Sequence, residues 1–263
     1  MKILVCVRRV PDFSENEIEL NRAGTDIERD DLVYSVNEPD NYAVEEALQI
    51  AQKVGGEVTV VTVGGEDDEE VLRRQMAMGA HHGVLLTDPA FAGSDGRGIA
   101  AVLAAFIRKG AYDLILTGVQ ADDGAAQVGG MLAAMLDYPF ASLVNAIEIL
   151  GGGRLKITRE VEGGSRELSE IDLPCVLSIQ TGINEPRYVG MRGIRQVASV
   201  PVPAFGVAEL DLEPATVGAA AARVKRLGYF IPPAGKNARM LEGSRPERVA
   251  ALFELLKAEG GLN

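Results

Sequence analysis

A chain of 263 residues, 47% of them apolar, can fill a core as one large α/β domain with an appendage or as two small domains. Its formal net charge of −12 argues against nucleic acid and anionic membranes as partners, because both present phosphates that need neutralising. No apolar run approaches the roughly 18 residues of a membrane span, and the run before Arg8 and Arg9 is too short for a signal peptide, so a cytoplasmic or matrix-like location without direct membrane insertion is expected.

Cys6 and Cys175 are each flanked by apolar residues, which suits buried thiols on strands. No CxxC exists, and His81 and His82 are the only histidines. Iron–sulfur, structural zinc and multi-histidine metal sites lose their ligands on these counts, and no metal is expected. The two histidines follow a glycine and are expected as exposed turn residues.

The first half alternates strand and helix. Residues 2–7 are a strand dense in Val, Ile and Leu, expected to be buried on both faces. A helix is expected over about 42–54, with Ala43, Val44, Ala47, Leu48, Ala51 and Val54 on one stripe and Glu45, Glu46 and Gln52 off it. Residues 57–63 form the next strand. A helix over 67–78 follows, with four acids at its positive dipole end and Gly79 as its cap. A strand at 84–87, a helix around 99–108, a strand at 112–117 and a helix at about 125–136 continue the pattern. This alternation predicts a mostly parallel, doubly wound sheet covered on both faces, an α/β fold of the Rossmann-like type.

The pattern then changes. Residues 143–150, 155–161 and 166–173 are β-like runs separated by glycine clusters, and they predict an antiparallel β meander. Residues 176–180 can add one more strand. From 188 to 241 periodicity is weak and prolines punctuate the chain. Such a segment, too apolar for a free linker, packs on its own domain or, the reading favoured here, on a partner subunit. Ser244-Arg245-Pro246-Glu247 is a capping box opening a final helix with Val249, Leu252, Phe253 and Leu256 on its stripe. The expected division is an α/β domain at 1–187, then an extended C-terminal arm and the helix at 188–263.

Ligands of open α/β sheets bind beyond the carboxyl ends of the strands. Three loops qualify: 8–13, 35–40 and 117–130. The third runs from a strand into a helix, where glycines allow close approach and free N–H groups favour a phosphate. It is neither a Walker loop nor a GxGxxG fingerprint. An ordinary strand-to-helix turn with a capping aspartate has the same spacing. Asp122 and Asp123 suit Mg²⁺ or acid–base work, although adjacent carboxylates at a helix start are more often caps. No serine or cysteine has a recognisable base, so nucleophilic catalysis is not expected. The chain reads as a binding or cofactor-positioning protein rather than a catalyst by itself.

At this point the sequence resembles the β subunit of electron-transfer flavoproteins. The most specific match is Asn184-Glu185-Pro186-Arg187-Tyr188, followed by Val189-Gly190-Met191-Arg192-Gly193-Ile194. Residues 5–12, Asn37 with Ala43-Val44-Glu45-Glu46-Ala47, Ala77-Met78-Gly79-Ala80, residues 118–123 with Gln127, and Arg159-Glu160 also fit, in the family's order. The resemblance implies a heterodimer whose larger α subunit holds most of an FAD while this subunit buries an AMP. The implied AMP site is Cys6, Asn37, Asp40, Val63, Gly118, Gln120, Asp122, Asp123, Gln127 and Val128, with the helix start after Gly124 taking the phosphate. Phe13 and Glu160 fall where the family places groups near the FAD ring. The implied docking loop for an acyl-CoA dehydrogenase-type flavoenzyme is 184–194, with Met191 at the position of the usual leucine anchor and Asn184, Glu185, Pro186, Arg187, Tyr188 and Ile194 around it. A membrane-linked acceptor is among the implied partners.

The nucleotide loop departs from the usual pattern. It is about one residue shorter, and Ala125 and Ala126 replace polar residues. Ala126-Gln127-Val128-Gly129 is similar to the electron-bifurcating branch, whose β subunit carries a second FAD in place of AMP and oxidises NADH; the branch's threonine is missing here. The lysine-rich stretch of many ordinary members is replaced by Arg195-Gln196-Val197-Ala198-Ser199-Val200. AMP remains the leading expectation, a second FAD the alternative, and a stand-alone adenine-nucleotide-binding protein the third.

Overall fold

Ile3, Leu4 and Val5 are wholly buried because the strand that carries them, β1 (Lys2–Cys6), lies in the middle of a nine-stranded sheet. The structure, a computed structural model, describes residues 1–121, 124–233, 235, 238 and 240–261. After β1 come β2 (Arg9–Pro11), β3 (Tyr34–Val36), α1 (Glu38–Val54), β4 (Glu57–Val63), α2 (Glu69–Met78), β5 (His82–Leu86), α3 (Gly96–Lys109), β6 (Leu114–Gly118) and α4 (Val128–Leu136). The second half holds β7 (Phe140–Gly151), β8 (Arg154–Val161), β9 (Ser165–Asp172), β10 (Cys175–Ile179), α5 (Met191–Val197), β11 (Ala204–Phe205), α6 (Gly218–Ala221) and α7 (Arg245–Ala258).

The strand order is β11-β5-β4-β1-β6-β10-β7-β8-β9. Pairings from β11 to β7 are parallel, and β7-β8-β9 is the antiparallel meander. Strand β10 inserts between β6 and β7, parallel to both, so the meander joins the sheet through a later strand. A separate two-stranded antiparallel sheet pairs β2 with β3.

Alternation along β1 makes two cores. Ile3, Val5 and Val7 join Ala43, Val44 and Leu48 of α1 and Leu72 of α2. Leu4 points the other way and joins Leu103 and Ile107 of α3 and Leu132 of α4. Burying one such Leu or Ile side chain contributes about 2 kcal/mol. Helices therefore cover both faces, and the fold is α/β and doubly wound. From β1 the chain moves to β4 and β5 on one side, then returns through β6 on the other. The carboxyl ends of β1 and β6 flank a topological switch point, the usual place for a ligand crevice.

Several local expectations are corrected. Helix α1 begins at Glu38, with Pro39 in its first turn, where proline's missing N–H costs nothing. Glu45 and Glu46 are buried, not off the packed stripe, because residues 184–187 cover them. Helix α4 begins at Val128 because Ala126 has φ +53°, outside helical space. His82 opens β5 rather than standing in a turn, although both histidines are exposed.

The described chain forms two compact units, Met1–Glu19 with Glu28–Leu227 and Leu20–Ile27 with Gly228–Asn263. The docking segment belongs to the first. In the second, a hairpin closes through Leu20 and Ile27, and Tyr229 N–H donates to the Gly24 carbonyl at 2.8 Å. Helix α7 starts on its predicted capping box, with Glu247 accepting from the Ser244 N–H and hydroxyl, each at 2.7 Å. None of its side chains is buried. No helix among the described residues is long and apolar enough to cross a membrane.

Candidate functional site

Asp40 ties the switch point together. It lies in the first turn of α1, and its carboxylate accepts the N–H of Arg8 at 2.8 Å and of Gly118 at 3.0 Å. Arg8 follows β1 and Gly118 ends β6, so one side chain staples the two strand ends at the switch point. Burial pushes Asp40 up to about 7, against the hydrogen bonds from Asn37, Arg8 and Gly118. Gly118 is required by this approach: a Cβ there would stand 2.3 Å from Asp40 Oδ1 and 2.8 Å from Pro39 Cβ.

Asn37, 1% exposed, donates from Nδ2 to the Gln120 carbonyl at 2.9 Å. This bond holds the start of the 118–130 loop against α1. Among the described residues the buried Asn37 Oδ1 has no partner, leaving an acceptor of the kind an amino group can fill. Cys6 ends β1 half-buried, and burial first, then the Asp40 charge, push its thiol well above its usual range. A thiol held protonated in this way is a poor nucleophile. Val63 ends the neighbouring β4, half-buried.

Gln127 caps α4 and Val128 begins it, so the unpaired N–H groups of that helix start here rather than after Gly124. Gly129 lets the helix approach the sheet, since a Cβ there would stand 2.4 Å from Ser178 Oγ. Thr117 and Ser178 share a buried hydroxyl–hydroxyl bond of 2.9 Å beneath it. Asp122 and Asp123 lie outside the described residues. Among those described, no cluster of His, Cys, Asp and Glu could hold a metal.

The structure thus gathers Cys6, Asn37, Asp40, Gly118 and Gln120 at one place, with Val63 on the adjoining strand and Val128 opening the next helix. It does not bring Glu160 there: β8 is separated from β6 by β10 and β7, and Glu160 stands opposite Arg166 of β9. Phe13 is exposed in the loop after β2.

The 184–194 segment forms a second constellation on the same helix. Glu45, 4% exposed, accepts from Arg187 Nε at 2.7 Å, Arg187 Nη2 at 2.9 Å and the Arg187 N–H at 3.2 Å. Burial pushes the Glu45 carboxyl up, but the hydrogen bonds from Arg187, then Gln49, win and hold it below its ordinary value. Asn184 Nδ2 donates to the Tyr42 carbonyl at 3.1 Å and to Glu46 Oε2 at 3.0 Å. Burial raises Glu46, opposed by Asn184. Pro186 is half-buried and Glu185 exposed, while Tyr188, Met191 and Ile194 stand out in solvent, Tyr188 by 93%.

Sequence reasoning did not assign Glu45 and Glu46 these roles. The signal was two acids inside an otherwise apolar run. Arg73 of α2, which binds the carbonyls of Val197, Ala198 and Val200 just after this segment, carried no signal at all.

A family model described as "Electron transfer flavoprotein domain" matches residues 25–210. The chain is 37% identical over 262 residues to "Electron transfer flavoprotein subunit beta" of Methylophilus methylotrophus, covering 97% of this chain and 98% of that protein. It is 37% identical over 253 residues to "Caffeyl-CoA reductase-Etf complex subunit CarD" of Acetobacterium woodii, covering 95% of each. It is 33% identical over 265 residues to "Acryloyl-CoA reductase electron transfer subunit gamma" of Anaerotignum propionicum, covering 97% of this chain and 98% of that protein. With matches that run nearly end to end over a doubly wound sheet and its switch-point crevice, the chain belongs to the electron transfer flavoprotein β-subunit family.

Proposed function

We propose that this chain is the β subunit of a heterodimer, completing the surroundings of an FAD held mainly by a larger α subunit and burying a structural AMP in its own crevice. The observation that carries the reading is the arrangement at the switch point, where Asn37 leaves a buried acceptor open and the Asp40 staple fixes the strand ends. The strand-end backbone at Cys6 and Val63 suits adenine, and the first turn of α4 suits a phosphate. The FAD, when bound, supplies single-electron chemistry. This chain's residues bind, orient and shield; none is asked to break a bond. In this reading an acyl-CoA dehydrogenase-type flavoenzyme delivers electrons, and a membrane-linked or other acceptor removes them. The apolar arm, with Leu227 86% and Phe230 79% exposed, is the part of the chain that fits a partner subunit.

A second reading places FAD where AMP would sit and adds NADH oxidation. Two similar proteins carry names of reductase complexes, and the exposed Ala125 and Ala126 lack polar groups to enclose a small nucleotide. Denaturing the purified heterodimer and identifying the released nucleotides separates the two. One FAD and one AMP are expected; two FAD per heterodimer overturn the AMP assignment. A stable, monomeric chain that binds ATP with no larger partner would overturn both.

Tyr188, Met191 and Ile194 are read as the docking face toward the dehydrogenase. Met191→Ala should raise the KM for this heterodimer as acceptor about tenfold, as loss of a central apolar anchor does, with flavin content unchanged. Steady-state transfer from an acyl-CoA dehydrogenase reduced by its acyl-CoA measures this; equal loss of flavin would make Met191 structural.

A further inference from the structure

Helix α5 (Met191–Val197) has only seven residues, too few to hold itself together in water. Its position therefore comes from what lies under it. Arg73 of α2 shares its Nη1 hydrogens among three carbonyl oxygens at and just beyond the end of α5: Val197 at 2.7 Å, Ala198 at 3.1 Å and Val200 at 3.3 Å. The guanidinium is held in turn by Glu69, which accepts from Nε at 2.6 Å. A cation at this end also suits the negative pole of a helix. Midway along α5, Gly193 lies so close to α2 that a Cβ there would stand 2.8 Å from the Ala77 carbonyl oxygen. Val197 and Val200 pack down onto the core, while Met191 and Ile194 face out.

We infer that Arg73 and Gly193 are positioning residues that weld α5 to α2 and so present the docking face in one fixed arrangement. The inference rests on the reading of residues 184–194 as the docking segment. A segment already ordered before encounter does not lose that freedom on binding, and the association keeps the corresponding affinity. Arg73 touches no partner in this scheme; it acts through the carbonyls of α5. The fork geometry matters, because a lysine ammonium can reach the carbonyls but cannot also be held edge-on by Glu69.

The test uses the assembled, FAD-loaded heterodimer carrying Arg73→Gln, Arg73→Lys, Gly193→Ala or Met191→Ala. Amide hydrogen exchange across 190–200 should speed up at least about tenfold in Arg73→Gln and Gly193→Ala. The KM toward an acyl-CoA dehydrogenase reduced by its acyl-CoA should rise about fivefold to tenfold in both, with kcat within about twofold and flavin content unchanged. Arg73→Lys should recover part of both readouts. Met191→Ala should raise KM without changing exchange. Exchange in 190–200 that stays at the wild-type rate in Arg73→Gln and Gly193→Ala overturns the inference. A normal KM in Met191→Ala removes the docking reading instead, and the exchange data still decide whether Arg73 and Gly193 fix the segment.

Discussion

Asp40→Ala should lower the unfolding free energy by about 3 kcal/mol and release the nucleotide proposed to sit at the switch point. The substitution removes the acceptor of two N–H groups, at Arg8 and Gly118. Each polar group left without a partner inside the fold costs about 1–3 kcal/mol. For a chain of this length the midpoint of thermal unfolding should fall by about 8 °C. Calorimetry of the heterodimer, with nucleotide release quantified beside it, checks both parts. A variant that keeps its midpoint and its full nucleotide complement would show that the staple is not needed. The pH dependence carries a defined sign. Native Asp40 is pushed up to about 7 from an ordinary 3.8. Between those values the native state holds a proton that the unfolded chain has released, so stability falls as pH rises through this window. Asp40→Asn lacks that slope. Its stability relative to wild type should improve from about pH 4 to pH 7 and level off above that, despite the lost second acceptor.

Arg187→Ala is the second large effect. It strands Glu45, whose carboxylate is buried and would keep only Gln49 as a side-chain donor. Breaking a buried pair costs about 3–5 kcal/mol. Arg187 is about a third exposed, so screening by water reduces this to about 2 kcal/mol. Glu45→Gln in the Arg187→Ala background should recover part of the loss, because no buried charge remains. In wild type the pair holds Glu45 below its ordinary 4.5, so its contribution is present above that value and fades as pH falls. Without Arg187, burial alone pushes Glu45 the other way. The penalty of the variant should therefore grow as pH rises from about 4 to 7. Denaturant titrations at several pH values read this directly, and a pH-independent penalty would contradict it.

The alternating strands and helices were legible because they rest on local pattern. The apolar run at 2–7, the stripe of α1 and the capping box of α7 each declare themselves within a few residues. The features that make the site are long-range. Glu45 meets Arg187 across 142 residues, and Arg73 meets Val197 across 124. Nothing local marks a buried acid whose partner is that distant. The late start of α4 was hidden for a different reason: alanine favours helix by propensity, and the left-handed turn at Ala126 overrides it. Likewise β10 enters the sheet between β6 and β7, an order that periodicity does not encode. The family motif of residues 184–188 marked the right segment, while its attachment to α1 is visible only in the structure.

The arm and α7 leave Phe230, Ile231, Met240, Val249, Leu252, Phe253 and Leu256 uncovered by the chain's own fold. Such a surface sets terms for the life of the polypeptide before assembly. A copy made without its companion offers apolar side chains to chaperones, proteases and other copies of itself. Surplus β chains should therefore be short-lived, and the quantity of this protein that accumulates should follow the supply of the larger subunit rather than its own rate of synthesis.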